Sequence, residues 1–170
     1  DESEEKLIRA IDLNPKLASA YNNYGNLLNE KADIPHAQKY FLKAIDIDPT
    51  SFIAYWYLHS TVNEAHKAKA IIEQCLVQSP LFKEAIFTLA GMNAFSGDRG
   101  HFTDLMASGF ANEPLLRSIK WVLSLPKMPE VHYNRWSIFD RAVQLSDTNR
   151  PVYEYGVWMG ESFKYLMKQF

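Results

Sequence analysis

Three segments of the chain end alike: LIRAIDLNP, FLKAIDIDP and IIEQCLVQSP, closing on Pro15, Pro49 and Pro80. A fourth, LMASGFANEP, closes on Pro114. The four prolines are 34, 31 and 34 residues apart. A period of this size constrains the fold more than any other feature of the sequence. A unit of about 34 residues cannot bury its apolar face alone, so successive units must stack and share one elongated core. The closing proline fits a helix end, because it lacks an N–H and its ring clashes with the preceding turn.

Residues 18–51 carry the pattern most fully. Tyr21, Tyr24 and Leu28 recur at helical spacing and line one face of a first helix. Gly25 and Ala44 are small where two helices cross closely, and Phe41 fills the space they leave. Ala37 and Pro49 complete the set. The next unit, 52–82, keeps Tyr55, Leu58, Ala68, Ile72 and Pro80, with His59 in place of the glycine and Cys75 in place of the alanine. It is shorter by three residues, and the expected place of the loss is the turn from Asn63 to Lys67. The third unit, 83–116, has Ile86, Leu89, Ala90, Phe102, Met106, Gly109 and Pro114, with the turn SGDRG between its helices. Residues 117–148 read as a degenerate pair, LLRSIKWVLSL and WSIFDRAVQLSD, with Phe139 and Ala142 in the second-helix slots. Between them PKMPEVHYN carries Pro126 and Pro129, which break regularity. Residues 1–17 form a half unit, a second helix without its first. The chain opens at Asp1 inside this helical pattern and reads as a piece of a longer protein.

This order of residues resembles the tetratricopeptide-repeat family. The resemblance implies an all-α fold, a superhelical stack of antiparallel helix pairs (an α-solenoid). It also implies a concave groove, lined by the first helices, that takes a peptide or partner domain. Ser19, Asn22, Asn26 and Asn29 fall on the face away from the core slots, and Ile53, Trp56 and Ser60 are their equivalents in the next unit. Glu84, Phe87 and Gly91 follow in the third. Asparagine amides both donate and accept hydrogen bonds and can read an extended backbone. Trp56 and Phe87 supply aromatic area of the kind that anchors interfaces, or pack against a neighbouring unit. The first complete unit is also similar to repeats of O-linked N-acetylglucosamine transferase, in which an asparagine lines the groove at the position of Asn23. Tyr57 and Thr88 stand there in the following units, so no asparagine ladder continues.

Catalytic and metal chemistry have little support. The five histidines, His36, His59, His66, His101 and His132, are scattered, and no cysteine pair accompanies them. Cys75, the single cysteine, sits in a small-residue core slot, excludes an internal disulfide and fits a reducing, cytoplasmic setting. A net charge of −2 leaves no basic excess for phosphates, so nucleic acid is not expected as a partner. No apolar run approaches the roughly 20 residues of a membrane helix. The expected role is a protein-interaction scaffold.

The last nineteen residues, VYEYGVWMGESFKYLMKQF, follow a different rule. A β-type run leads through Glu154 to Gly156 and Gly160 and then to helix-forming residues. In doubly wound folds such a glycine turn lets backbone approach a ligand at a strand's C-terminal end. The segment resembles the first motif of class I S-adenosylmethionine-dependent methyltransferases, within them the macrocin-O-methyltransferase group. That resemblance implies cofactor contacts at Glu154, Gly156 and Gly160, although Trp158 stands where the group often has a middle glycine. One strand and one helix cannot complete such a site, so catalysis would belong to a longer parent and S-adenosylmethionine is not expected to bind this chain. A final capping helix is the alternative reading of the same residues. Contact between copies through this segment, as a homo-oligomer, is a further expectation.

Overall fold

The computed structural model describes residues 2–145. The expectations for residues 146–170, among them the cofactor role of Glu154, Gly156 and Gly160, lie outside the described residues. Within them the chain forms nine helices and no strand. These are α1 (Glu2–Leu13), α2 (Ala18–Glu30), α3 (Ile34–Ile47), α4 (Phe52–His59), α5 (Ala65–Gln78), α6 (Lys83–Phe95), α7 (Gly100–Ala107), α8 (Pro114–Leu123) and α9 (Arg135–Leu145). From α1 to α7 each helix packs on the next. In addition α2 touches α4 and α6 touches α8, so first helices also lie side by side. That order of contacts belongs to a stack and not to a closed bundle.

The core follows the stack as a row of local clusters. Tyr24, Leu28, Ala37 and Phe41 pack with Leu58 of the next unit. Ala68, Ile72 and Cys75 pack with Ala85 and Met92 of the unit after. Phe87, Ala90 and Phe102 pack with Leu116 and Ile119. The buried members of each cluster come from elements close in the chain, as a repeat array requires. Phe41 is fully buried, and its ring stacks 5.8 Å from Tyr57. A Cβ at Gly25 would stand 2.8 Å from that ring and 3.2 Å from the Ala37 carbonyl oxygen. The glycine is therefore what lets α2 and α3 approach.

A tyrosine in the first-helix slot adds a small device. Tyr21 Oη donates to the Pro15 carbonyl at 3.2 Å, and Tyr55 Oη to the Pro49 carbonyl at 3.3 Å. Each hydroxyl ties a closing proline to the helix that follows it. The third unit has Ile86 in this slot and no hydroxyl to offer.

Two expectations need correction. Pro15, Pro49 and Pro80 lie just beyond the ends of α1, α3 and α5, but Pro114 is the first residue of α8. Proline is well suited to that position, because its missing N–H would have no intrahelical partner there and its φ is already helical. The chain between α7 and α8 is correspondingly a loop, residues 108–113. The second correction concerns the three residues missing from the second complete unit. They are not taken from the turn. Helix α2 has 13 residues and α4 only 8, whereas the turn grows from residues 31–33 to residues 60–64. The shortened helix leaves Thr61 buried and Asn63 exposed at the edge of the stack.

Candidate partner-binding face

Helix α2 brings Ser19, Asn22, Asn26 and Asn29 to one side at helical spacing. Ser19 is exposed, and Asn23, one position round the helix from Asn22, is exposed as well. Asn22 is only 6% exposed, and its Oδ1 has no hydrogen-bond partner. Asn26 Nδ2 donates to Glu30 Oε1 at 3.1 Å, an i,i+4 contact along the same helix. Asn29 Nδ2 donates to Ser60 Oγ at 3.4 Å, which links the first helices of two units, and Asn29 Oδ1 is buried without a partner. Two amide oxygens, seven residues apart on one face of α2, are therefore held out of water with no donor. An amide oxygen in this state costs roughly 1–3 kcal/mol.

The other residues of the expected groove divide by burial. Ile53 and Trp56 are half-buried, and Glu84 is exposed. The Trp56 ring lies 5.1 Å from Phe82, edge-on, and 4.4 Å from His59. His59 Nδ1 donates to the Trp56 carbonyl. Burial pushes the His59 ring below the ordinary histidine range, against a smaller opposing effect of that carbonyl. Ser60 Oγ donates to the Tyr57 carbonyl at 2.8 Å. Phe87 is 5% exposed and meets Phe110 edge-on at 5.4 Å, so its ring is core area between α6 and the loop before α8. Gly91 is also internal: a Cβ there would stand 2.7 Å from Ile119 Cδ1. Asn22, Asn26, Asn29 and Ser60 thus form one polar run, Trp56 borders it as part of a partly buried aromatic group, and Phe87 and Gly91 serve the packing of α6.

Cys75 occupies its small-residue slot fully buried, with Sγ donating to the Phe52 carbonyl at 3.3 Å. Burial pushes the thiol up to about 11. A thiol in that range carries almost no thiolate near neutral pH, and the thiolate is the reactive form. Among the described residues no three metal-binding side chains come together, and no helix is long and apolar enough to cross a membrane.

One set of residues has no counterpart in the sequence reading. The segment after α8 turns back across the ends of α2 and α4. Tyr133 N donates to Asn63 Oδ1 at 3.0 Å, Asn134 Nδ2 to the Thr61 carbonyl at 3.2 Å, and Trp136 Nε1 to the Asn29 carbonyl at 2.8 Å. Trp136 is 3% exposed, whereas Ala142, expected in a core slot, is exposed. The buried anchor of α9 is therefore at its start. Two signals pointed here in part: the paired prolines of PKMPEVHYN and the length lost from the second unit. Neither reveals that the two meet.

Residues 18–51 match the family model described as Tetratricopeptide repeat. No curated protein matches the chain. Among solved structures the fold is similar to YrrB, described as a TPR protein with an unusual peptide-binding site. The TM-score is 0.60 at 16% identity, and the match covers 98% of this chain and 75% of that one. The fold is thus a TPR-like α-solenoid, and residues 18–51 match the tetratricopeptide-repeat model.

Proposed function

We propose that the chain is a protein-interaction scaffold that holds an extended peptide segment along α2 and α4. The observation that carries this reading is the pair of buried, unpaired amide oxygens of Asn22 and Asn29. Seven helical residues advance about 10.5 Å. Three residues of polyproline-type backbone advance about 9.3 Å. Backbone N–H groups three residues apart on such a segment match the two acceptors once the Asn side chains turn outward. Binding would then remove the cost of leaving these oxygens without donors. The likeness to YrrB, whose structure is described as containing a peptide-binding site, agrees in kind.

Peptides selected from a random display library on the immobilised chain provide the test. They are expected to bind at least about tenfold more weakly to an Asn22→Ala, Asn29→Ala double variant, the equivalent of one lost hydrogen bond. Selection of no peptide, or equal binding by the folded double variant, overturns the reading.

A further inference from the structure

We propose that the C-terminal ends of α2 and α4 form a docking site for an Asn-x-Trp segment that opens a helix, which residues 132–137 of this chain occupy as a tethered ligand. The inference rests on contacts apart from the Asn22 and Asn29 side chains, so it stands or falls separately from the groove.

The site exists because α4 stops early. Its last turn is replaced by residues 60–64, which leave the Thr61 carbonyl and the Asn63 side chain at the edge of the stack. Helix ends carry carbonyls without intrahelical donors, and such oxygens accept from whatever donor reaches them. The Thr61 carbonyl accepts from Gln38 Nε2 at 3.0 Å and from Asn134 Nδ2 at 3.2 Å. The Asn29 carbonyl, in the last turn of α2, accepts from Ala32 N at 3.1 Å and, with its second lone pair, from the Trp136 indole at 2.8 Å.

The docked segment has the traits of a ligand. Asn134 uses both ends of its amide: Nδ2 reads Thr61, and Oδ1 accepts from Trp136 N at 2.8 Å. The second bond caps the start of α9 and so holds Trp136 in its first turn. The indole then contributes a large apolar surface and one N–H donor, a combination favoured in interface anchors. Asn63 Oδ1 accepts from Tyr133 N and lies 3.2 Å from Ser137 Oγ. These contacts cross 70 to 107 residues of sequence, so they are tertiary recognition and not local turn structure. The residues leading in, 126–133, contain no helix and carry Pro126 and Pro129. They are a tether.

A short tether holds its ligand at an effective concentration of about millimolar. A free segment of equal intrinsic affinity must compete with that, so the intact chain should capture it weakly and a released chain well. The probe is a fluorescein-labelled peptide with the sequence of residues 130–138, EVHYNRWSI. Fluorescence anisotropy would follow its binding to the wild-type chain and to an Asn134→Ala, Trp136→Ala double variant of the whole chain. The double variant, verified as helical by circular dichroism, is expected to bind at least about tenfold more tightly than wild type. Adding Asn63→Ala to it should weaken binding, and Asn22→Ala should not. Equal binding by wild type and double variant, or no binding by either, overturns the proposal. Should the double variant fail to fold, wild-type chain labelled with ¹⁵N serves instead. The Trp136 indole resonance should shift as unlabelled peptide reaches millimolar concentration, and an unmoved resonance is the contrary result.

Discussion

Helices α2 and α3 and helices α8 and α9 are both adjacent in sequence, yet only the first two form an intimate pair. Between α2 and α3 there are three residues, and Gly25 lies directly beneath Phe41. Between α8 and α9 there are eleven, residues 124–134, including two prolines. Helix α8 finds its close approach elsewhere, with Ile119 set against Gly91 of α6, while the anchor of α9 reaches Asn29. The contrast teaches that apolar periodicity is enough to make a helix but not to choose its partner. The choice requires a small residue at the crossing, a large one opposite, and a connection too short to permit another answer.

The largest effect expected from this contrast is at Phe41. Phe41→Ala should destabilise the chain by about 3–5 kcal/mol, because a fully buried ring leaves a cavity. Phe139→Ala, in the corresponding slot of α9, should cost far less because Phe139 is only half-buried. Urea denaturation followed by circular dichroism measures both, and equal losses would erase the distinction between the two pairs.

Next in size is the pair of glycines. Gly25→Ala places a methyl group against a buried ring and a backbone oxygen, an overpacking worth about 1–3 kcal/mol, set against helix propensity gained. Gly91→Ala meets only the far end of Ile119, which can turn aside. Its cost should be within about 1 kcal/mol of zero. Thermal melts of the two variants give the comparison directly.

Trp136→Phe keeps an aromatic ring but removes the donor to the Asn29 carbonyl, with an expected loss of about 0.5–1.5 kcal/mol. The effect should be local. Amide hydrogen exchange should quicken at residues 133–137 and stay unchanged through residues 34–47. Acceleration throughout the stack would mean that the strap supports the whole array.

The smallest effect concerns His59, whose ring is held below its ordinary range by burial. Above the unfolded value of about 6.5 the ring is neutral in both states and contributes no pH dependence. Below it, down to the lower folded value, the unfolded chain takes up a proton that the folded chain refuses, so stability falls as pH falls. His59→Gln should flatten that part of the stability curve. A variant with the wild-type slope would show that another group carries it.

Much of this was legible in the residues. Tyr21, Tyr24, Gly25, Leu28, Ala37, Phe41 and Ala44 stand at spacings that only a crossed pair of helices explains, and the structure uses each of them at that crossing or in the core beside it. Ser19, Asn22, Asn26 and Asn29 share a face because 3.6 residues make a turn. Their unequal burial was not legible, since it depends on what other units bring near. Pro114 misled for a related reason. Proline marks a helix boundary but can stand on either side of it, and only the fold shows that this one opens α8.

The sequence by itself determined the helical class, the stacking period, the small-against-large fit at the α2–α3 crossing and the ends of α1, α3 and α5. Those features arise from contacts within one unit or between adjacent ones, and such contacts leave a repeating trace. Tertiary structure alone decided that α4 would surrender its last turn, that Phe87 and Gly91 would serve the core, and that Trp136 would bind back at Asn29. A contact across more than a hundred residues repeats nowhere in the chain; it exists only because folding brings a helix-end carbonyl and an indole N–H within 2.8 Å.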